Sequence, residues 1–444
     1  MGGMAQGKND TRGRIAFFVL LGVGLALCVL FVKPLRLPVL FLTALAGAAC
    51  GYMRAVAHDK NDGTPDSPVF GLVMRLIRLW QAGKPRPILH EEKLAEAETP
   101  YVLLSNHESF FDFFYMLQLS HPRHPSFLIS EYYYNLPVLR AFARHMGIIS
   151  KKIFSPELAV PLRIMRMVKK GYPVVIFPEG RLSPDGRSNP IVEEGAAFYK
   201  RLNADLVLVK LRGAYFAYPK WRGKRYRSTV TVTVEEVIKK DALRTMSDEE
   251  LNRKIAQTLY GDASKELLCD YPQGDKARGL GNLLYRCADC GALYTTVGRG
   301  NDLMCTACGG RHTLNDQYHF TDAPYSIPGW YDRMKDMERA DLDSLSLETP
   351  VRTLIHGRDG GKNRRETGVC ALTPEAFSYR SEQIAFTIPT EQIPGLAFSC
   401  GTEFELYYEG ELYYFYPKEH PQQTARWALL VDILAESRRQ QKGE

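Results

Sequence analysis

Two uninterrupted apolar runs open the chain. Ile15 to Val32 is eighteen residues without a charge or a proline, and Leu37 to Met53 is nearly as apolar, with Pro38 near its start. The short linker Lys33-Pro34-Leu35-Arg36 separates them. About 20 apolar residues span a bilayer as a helix, so two slightly short runs predict a tight or partly inserted membrane hairpin. With its linker the hairpin occupies residues 1–64. A signal peptide is the competing reading, because Lys8, Arg12 and Arg14 precede the first run. Its apolar region is normally shorter, however, and no second run follows it. Two spans return the chain to its starting side, where Lys8, Arg12, Arg14, Arg54 and Lys60 outnumber Lys33 and Arg36 of the loop. The positive-inside tendency then sets the rest of the protein on the cytoplasmic side of the cell membrane.

Beyond the turn-rich stretch 55–68 the pattern changes to short alternating runs. Tyr101–Leu104, Ser126–Ile129, Gly147–Ser150, Tyr172–Phe177, Asp205–Lys210 and Thr229–Val234 read as strands. Phe111–Leu119, Leu136–His145, Val160–Lys169 and Glu194–Leu202 read as helices, and 241–268 reads as helical with Ser247 as N-cap. Such alternation predicts an α/β sheet domain over 65–268, with its site in the loops that leave the strands. Residues 285–320 carry paired cysteines and no long apolar run. After Pro350 come seven short strand candidates, at Val351–Ile355, Thr367–Leu372, Phe377–Tyr379, Ile384–Ile388, Leu396–Ser399, Phe404–Tyr408 and Glu411–Phe415. A last helix, Thr424 to Arg439, has Trp427, Leu430, Val431 and Leu434 at helical spacing, so residues 346–440 predict a small barrel or curled sheet closed by one helix.

Composition narrows the class only a little. At 444 residues the chain has room for two to four domains, and 45% hydrophobic with 24% charged residues excludes disorder throughout. Nine cysteines are too few for a disulfide scaffold of this size. The net charge of +7 is unevenly distributed: residues 65–265 hold 31 basic and 21 acidic side chains. From Leu206 to Val234 there are seven basic residues, Lys210, Arg212, Lys220, Arg222, Lys224, Arg225 and Arg227, and no acid until Glu235. Tyr215, Phe216, Tyr218, Trp221 and Tyr226 interleave with them, a pattern suited to an anionic membrane surface or to the phosphates of a coenzyme. A solvated loop is the plainer alternative.

Two segments carry candidate chemistry. In Ser105-Asn106-His107-Glu108-Ser109-Phe110-Phe111-Asp112 a strand runs into a helix. On one regular helix, residues five apart lie about 140° from each other. His107 and Asp112 can therefore meet only if His107 occupies the turn and Asp112 the first helical turn. A histidine with a carboxylate behind it is suited to general-base work, although a turn histidine beside a capping residue has the same appearance. In Val174-Val175-Ile176-Phe177-Pro178-Glu179-Gly180-Arg181 a buried strand ends in a turn that Gly180 permits. Arg181 offers a planar fork for a phosphate, and Glu179 could take a hydroxyl or orient Arg181. A surface ion pair at a strand end is the alternative.

Together, NHESFFD and FPEGRLS resemble the paired signature of the 1-acyl-glycerol-3-phosphate acyltransferase (PlsC-like) family, over about residues 70–240. The resemblance implies an α/β acyltransferase core, a mixed sheet with flanking helices. It implies His107 as general base with Asp112 as its partner, and Asn106, Glu179, Gly180 and Arg181 as substrate-binding residues. The substrates would be a lysophospholipid acceptor, 1-acyl-glycerol-3-phosphate foremost, and an acyl thioester on coenzyme A or acyl carrier protein. No catalytic cofactor is implied. Arg181 follows Gly180 directly, where many members have an intervening Thr, which bears on acceptor choice. The family's middle block finds its best match in Gly147-Ile148-Ile149-Ser150-Lys151-Lys152, with Lys for Arg.

Cys287, Cys290, Cys305 and Cys308 form two CxxC knuckles fourteen residues apart, each followed by Gly, which predicts a structural zinc ribbon over 285–320. A rubredoxin-type iron centre is the alternative. The 346–440 region resembles pleckstrin-homology (PH) or GRAM-like domains, which bind lipid headgroups or proteins. This end and the ribbon are thus candidate sites for a protein partner. The rival to an enzyme is a non-catalytic membrane-anchored adaptor using the ribbon and C-terminal domain. Nucleic-acid binding does not suit a membrane-anchored acyltransferase. A hydrolase Gly-x-Ser-x-Gly elbow and a zinc-protease HExxH are both missing from the sequence.

Overall fold

The computed structural model describes residues 47, 63–66, 70–75, 86–135, 143, 146–155, 157–191, 195–357 and 362–442. The apolar hairpin and nearly all of the helix expected at Leu136–His145 lie outside the described residues. Among the described residues no helix is long and apolar enough to cross a membrane.

The first sheet has seven strands, β1 (Ile88–His90), β2 (Tyr101–Ser105), β3 (Ser126–Ser130), β4 (Ile149–Lys151), β5 (Val174–Ile176), β6 (Asp205–Arg212) and β7 (Thr231–Ile238), in the order β1-β7-β6-β2-β5-β3-β4. Only β6 and β7 pair antiparallel, so the sheet is mixed, as the resemblance implies. Alternate residues of the central strands enter two apolar layers. Val102, Leu104, Val174, Ile176, Leu206 and Leu208 face Val160, Ile164 and Met167 of α2 (Ala159–Lys169) and Leu251, Ile255 and Leu259 of α4 (Asp248–Leu259). On the same face packs α3 (Gly195–Arg201), through Ala196 and Tyr199. Tyr101, Leu103, Val175, Val207 and Val209 face Phe114, Tyr115 and Met116 of the short α1 (Asp112–Met116). This period-two sorting is what a sheet covered on both faces requires.

The expected strands are all present, within a few residues of the sequence reading. Two differences have physical causes. The helix expected over 241–268 is broken at Met246 and ends at Leu259. Ser247 takes the amide of Glu250 as an N-cap, which starts a new helix rather than continuing the old one. Strand β1, not anticipated, exists only by parallel pairing with β7, more than 140 residues away, which no local pattern announces.

The expected basic and aromatic face is largely internal. Tyr215, Phe216, Trp221 and Tyr226 are buried, and Arg222 is buried with them, donating to the carbonyl of Phe216 at 2.6 Å and to the Tyr318 hydroxyl. Lys210 pairs with Glu266 at 2.9 Å. The loop is therefore a seam. Its aromatics share one apolar core with Tyr271, Leu280, Leu303, Trp330, Phe377 and Trp427, so residues from 215 to 434 pack as one body.

Within that body β8 (Thr296–Arg299), β9 (Asp302–Cys305) and β10 (Arg311–Thr313) form a small antiparallel sheet beneath the cysteine knuckles. A helix, α5 (Ile327–Ala340), leads to a second seven-stranded sheet, wholly antiparallel. It comprises β11 (Leu347–His356), β12 (Arg364–Leu372), β13 (Ala376–Ser381), β14 (Ala385–Pro389), β15 (Ala397–Ser399), β16 (Glu403–Tyr408) and β17 (Glu411–Pro417), in the order β14-β13-β12-β11-β17-β16-β15. The helix α6 (Gln423–Lys442) closes it through Trp427, which stacks on Phe404 and donates to Thr349 at 2.9 Å.

Candidate active site

The carboxyl ends of β2, β5 and β6 lie side by side, and the loops leaving them build the site. Asn106 follows β2. Its amide donates to the Leu211 carbonyl at 2.9 Å and its oxygen accepts the Leu211 amide at 2.7 Å, so it extends the ladder to β6 by a side chain. That role is structural, and it aims the next residue, His107, out of the sheet.

His107 Nδ1 lies 2.9 Å from Asp112 Oδ2. Asp112 is fully buried in the first turn of α1 and is held by Ser109, whose amide reaches Oδ2 at 2.8 Å and whose hydroxyl reaches Oδ1 at 2.9 Å. The acceptor at Nδ1 makes that nitrogen the N–H, leaving the Nε2 lone pair free to accept a proton. The ring stacks on Phe177, with centroids 4.2 Å apart, and remains about one-fifth exposed at 21%. His107 is thus clamped behind and open in front.

The two motifs are joined by Glu179. One oxygen accepts the His107 amide at 2.8 Å, and the other accepts the Asn189 amide at 2.6 Å and its side-chain NH₂ at 3.0 Å. The His107 carbonyl in turn accepts the Ser183 amide at 3.1 Å. Burial pushes the Glu179 carboxyl up to about 7, against the lowering effect of these donors. Gly180 has φ +71°, a left-handed turn that directs the chain from Glu179 toward Arg181. Arg181 is engaged at both ends. Its Nε donates to Asn189 at 3.1 Å, and its two terminal nitrogens form a fork on Asp432 of α6 at 3.0 and 2.7 Å.

Sequence reasoning missed Ser109, Asn189, Glu108 and Asp432. Glu108 is buried beside Asp112 and accepts the amides of Ala214 and Tyr215 at 2.8 and 3.0 Å. Burial first, and then the Asp112 charge, push its carboxyl up to about 8. Asp432 did leave a signal, a lone acid in the apolar run Leu429-Leu430-Val431-Asp432-Ile433-Leu434.

The four cysteine sulfurs lie within 4.8 Å of one another, with Cys287–Cys308 at 3.9 Å and Cys290–Cys305 at 3.8 Å. A zinc tetrahedron with bonds of about 2.3 Å has edges of about 3.8 Å. Gly291 and Gly309, both at positive φ, return their amides to the Cys287 and Cys305 carbonyls at 2.9 and 3.0 Å and form the knuckles. The cluster fits a four-coordinate metal closed to solvent ligands.

An imidazole backed by a buried carboxylate and tied to a second strand-end turn is an arrangement able to take a proton from a hydroxyl. The acyltransferase family model matches residues 86–205, which contain every one of these motif residues, and that segment is an acyltransferase-family domain. The chain is 30% identical over 171 residues to a chloroplastic 1-acyl-sn-glycerol-3-phosphate acyltransferase of Brassica napus, covering 38% of this chain and 49% of that one. It is 35% identical over 98 residues to a chloroplastic 1-acyl-sn-glycerol-3-phosphate acyltransferase of Arabidopsis thaliana, covering 22% and 27%. It thus spans about half the length of the first relative and about a quarter of the second. The crystal structure of the 1-acyl-sn-glycerophosphate acyltransferase PlsC from Thermotoga maritima superposes with a TM-score of 0.36 at 18% identity, covering 43% of this chain and 77% of that one.

The Glu108 shift has a testable sign. Its pKa is about 8 in the folded protein and 4.5 as its ordinary value, so between these the folded state keeps a proton that the unfolded state has lost. Stability from this group is therefore full below pH 4.5 and declines as pH rises through about 8. Urea midpoints at pH 5.5 and 8.5 should fall less in Glu108→Gln than in the parent. An unchanged slope would show that Glu108 is not the group responsible.

Proposed function

We propose that this protein is a membrane-bound acyltransferase that moves a fatty acyl group from an acyl thioester, on coenzyme A or acyl carrier protein, to a lysophospholipid, with 1-acyl-glycerol-3-phosphate as the leading acceptor. The observation that carries the reading is the His107–Asp112 pair, 2.9 Å apart at the end of a central strand, with the second ring nitrogen facing out. In this reading Nε2 takes the proton of the acceptor hydroxyl as its oxygen attacks the thioester carbon. Asp112 stabilises the imidazolium that forms. Collapse of the tetrahedral species expels the thiolate, which takes the proton back from His107. A thioester is already activated, so positioning and one base suffice, without an acyl-enzyme or a metal in the step. Glu179 would position His107 rather than touch the acceptor, since its oxygens are occupied by backbone and Asn189 donors.

The anchor would be the apolar hairpin at 1–64, with the folded domains on the cytoplasmic side. Contact with an anionic membrane surface is supported not by the 206–234 run but by α2. There Leu158, Leu162 and Met165 are 88%, 61% and 42% exposed, among the exposed cations Arg163, Arg166 and Lys169. The antiparallel sheet closed by α6 supports a PH- or GRAM-like reading of 346–440, and with the ribbon it is the candidate surface for a protein partner. The rival, a non-catalytic lipid-binding adaptor, draws support from the Arg181 fork being already filled.

His107→Ala should fold normally and lose about 10²–10⁴-fold in acyl transfer, read by mass spectrometry against a panel of lysolipids and both donor types. Parental turnover in that variant would overturn the assignment, and no turnover in the parent would favour the adaptor. Elemental analysis should find one zinc per chain, lost in Cys305→Ser together with thermal stability. Metal-free protein with the parental melting curve would exclude the ribbon reading.

A further inference from the structure

We propose that Asp432 is a specificity-determining residue of the acceptor site, an internal anion that fills the fork of Arg181, so that an acceptor phosphate enters only in exchange for it. The inference rests on the acyltransferase reading for its function, but not for its geometry. Asp432 belongs to α6, some 250 residues from Arg181 in sequence, and the two meet in a parallel pair of charge-assisted bonds at 3.0 and 2.7 Å. A carboxylate presents two oxygens to a guanidinium just as a phosphate does, so the two anions compete for one fork.

The surroundings argue against an incidental surface pair. Leu430, Val431, Ile433 and Leu434 around Asp432 are buried, and both charged side chains are less than one-fifth exposed, at 16% and 18%. A charge in such a setting is costly unless it is paired. Nor is α6 dependent on this pair for its seat. It is held by Trp427 and its apolar neighbours, and Glu436 binds Lys335 and Arg339 at 2.6 and 2.8 Å. The pair is also connected to the base. Arg181 Nε donates to Asn189, Asn189 donates to Glu179, and Glu179 accepts the His107 amide. A group bound at Arg181 would therefore lie on the same hydrogen-bonded frame that sets His107.

Lys220 is the second cation at this place. It lies 3.6 Å over the Phe398 ring, and burial lowers its pKa to about 8, with Arg181 lowering it further and Asp432 opposing. With Asp432 in place the Arg181 charge is neutralised, and with Asp432 displaced that charge is open to a phosphate. The C-terminal unit thus sets how strongly the site selects for an anionic acceptor.

The test is calorimetric binding of sn-glycerol 3-phosphate, with glycerol as the uncharged control, to the full chain in detergent. Asp432→Asn keeps the shape and one hydrogen bond but removes the charge. It should bind glycerol 3-phosphate about tenfold more tightly, with the gain lost in Arg181→Gln/Asp432→Asn and glycerol unaffected. Equal or weaker binding by Asp432→Asn would overturn the proposal. If that variant does not fold, Asp432→Ser, which also removes the charge, serves instead: it should bind glycerol 3-phosphate more tightly than the parent, and equal or weaker binding would overturn the proposal. Binding is read without turnover, so a protein that transfers no acyl group can still pass this test, and an active one can fail it.

Discussion

The carboxylate of Glu179 is the tie on which the site depends. Strands β2 and β5 are neighbours, but neither alone directs the loop that follows it. The loop after β2 presents an imidazole, and the loop after β5 carries a largely buried cation, in one fixed frame. One buried carboxylate satisfies the amide of His107 from the first loop and the amide and side chain of Asn189 from beyond the second. Three donors on an ionised or half-ionised acid are strong bonds, and their loss would leave buried amides without partners. Asn106 performs the matching task on the other side, where its side chain completes the ladder to β6. His107 is thus braced from both flanking strands.

The same logic extends outward to the rest of the molecule. Arg222, Tyr215, Phe216 and Trp221 lie in the loop after β6, and their burial welds the first sheet to the three-stranded sheet of the cysteine knuckles and to the second seven-stranded sheet. Arg222 is a buried cation satisfied by carbonyls and a tyrosine hydroxyl, which makes the seam directional as well as apolar. The C-terminal helix is therefore positioned firmly enough to insert Asp432 between the turn after β5 and the bulk of the C-terminal unit.

Much of this was legible from the chain. The alternating runs gave the strands and helices of the first sheet because each obeys a local period. His107 and Asp112, five residues apart, could meet only across a strand-to-helix turn, and they do. The knuckle spacing of Cys287, Cys290, Cys305 and Cys308 pointed to the cluster the fold makes. The basic and aromatic run from 206 to 234 was legible in composition but not in direction, because its partners Tyr271, Tyr318 and Trp427 are remote in sequence. Glu179 and Arg181 were recognisable as important, yet their partners were not. Backbone amides carry no letter in the sequence, and the acid that binds Arg181 lies in the last helix.

In the proposed reaction transfer is direct, with His107 moving a proton and no residue carrying the acyl group. Intact-mass spectrometry of the full chain incubated with an acyl thioester, first without and then with lysolipid, tests it most directly. Direct transfer leaves the protein mass unmodified throughout, with free thiol and diacyl product released only once the lysolipid is added. A protein heavier by one acyl group before any acceptor is present would contradict it.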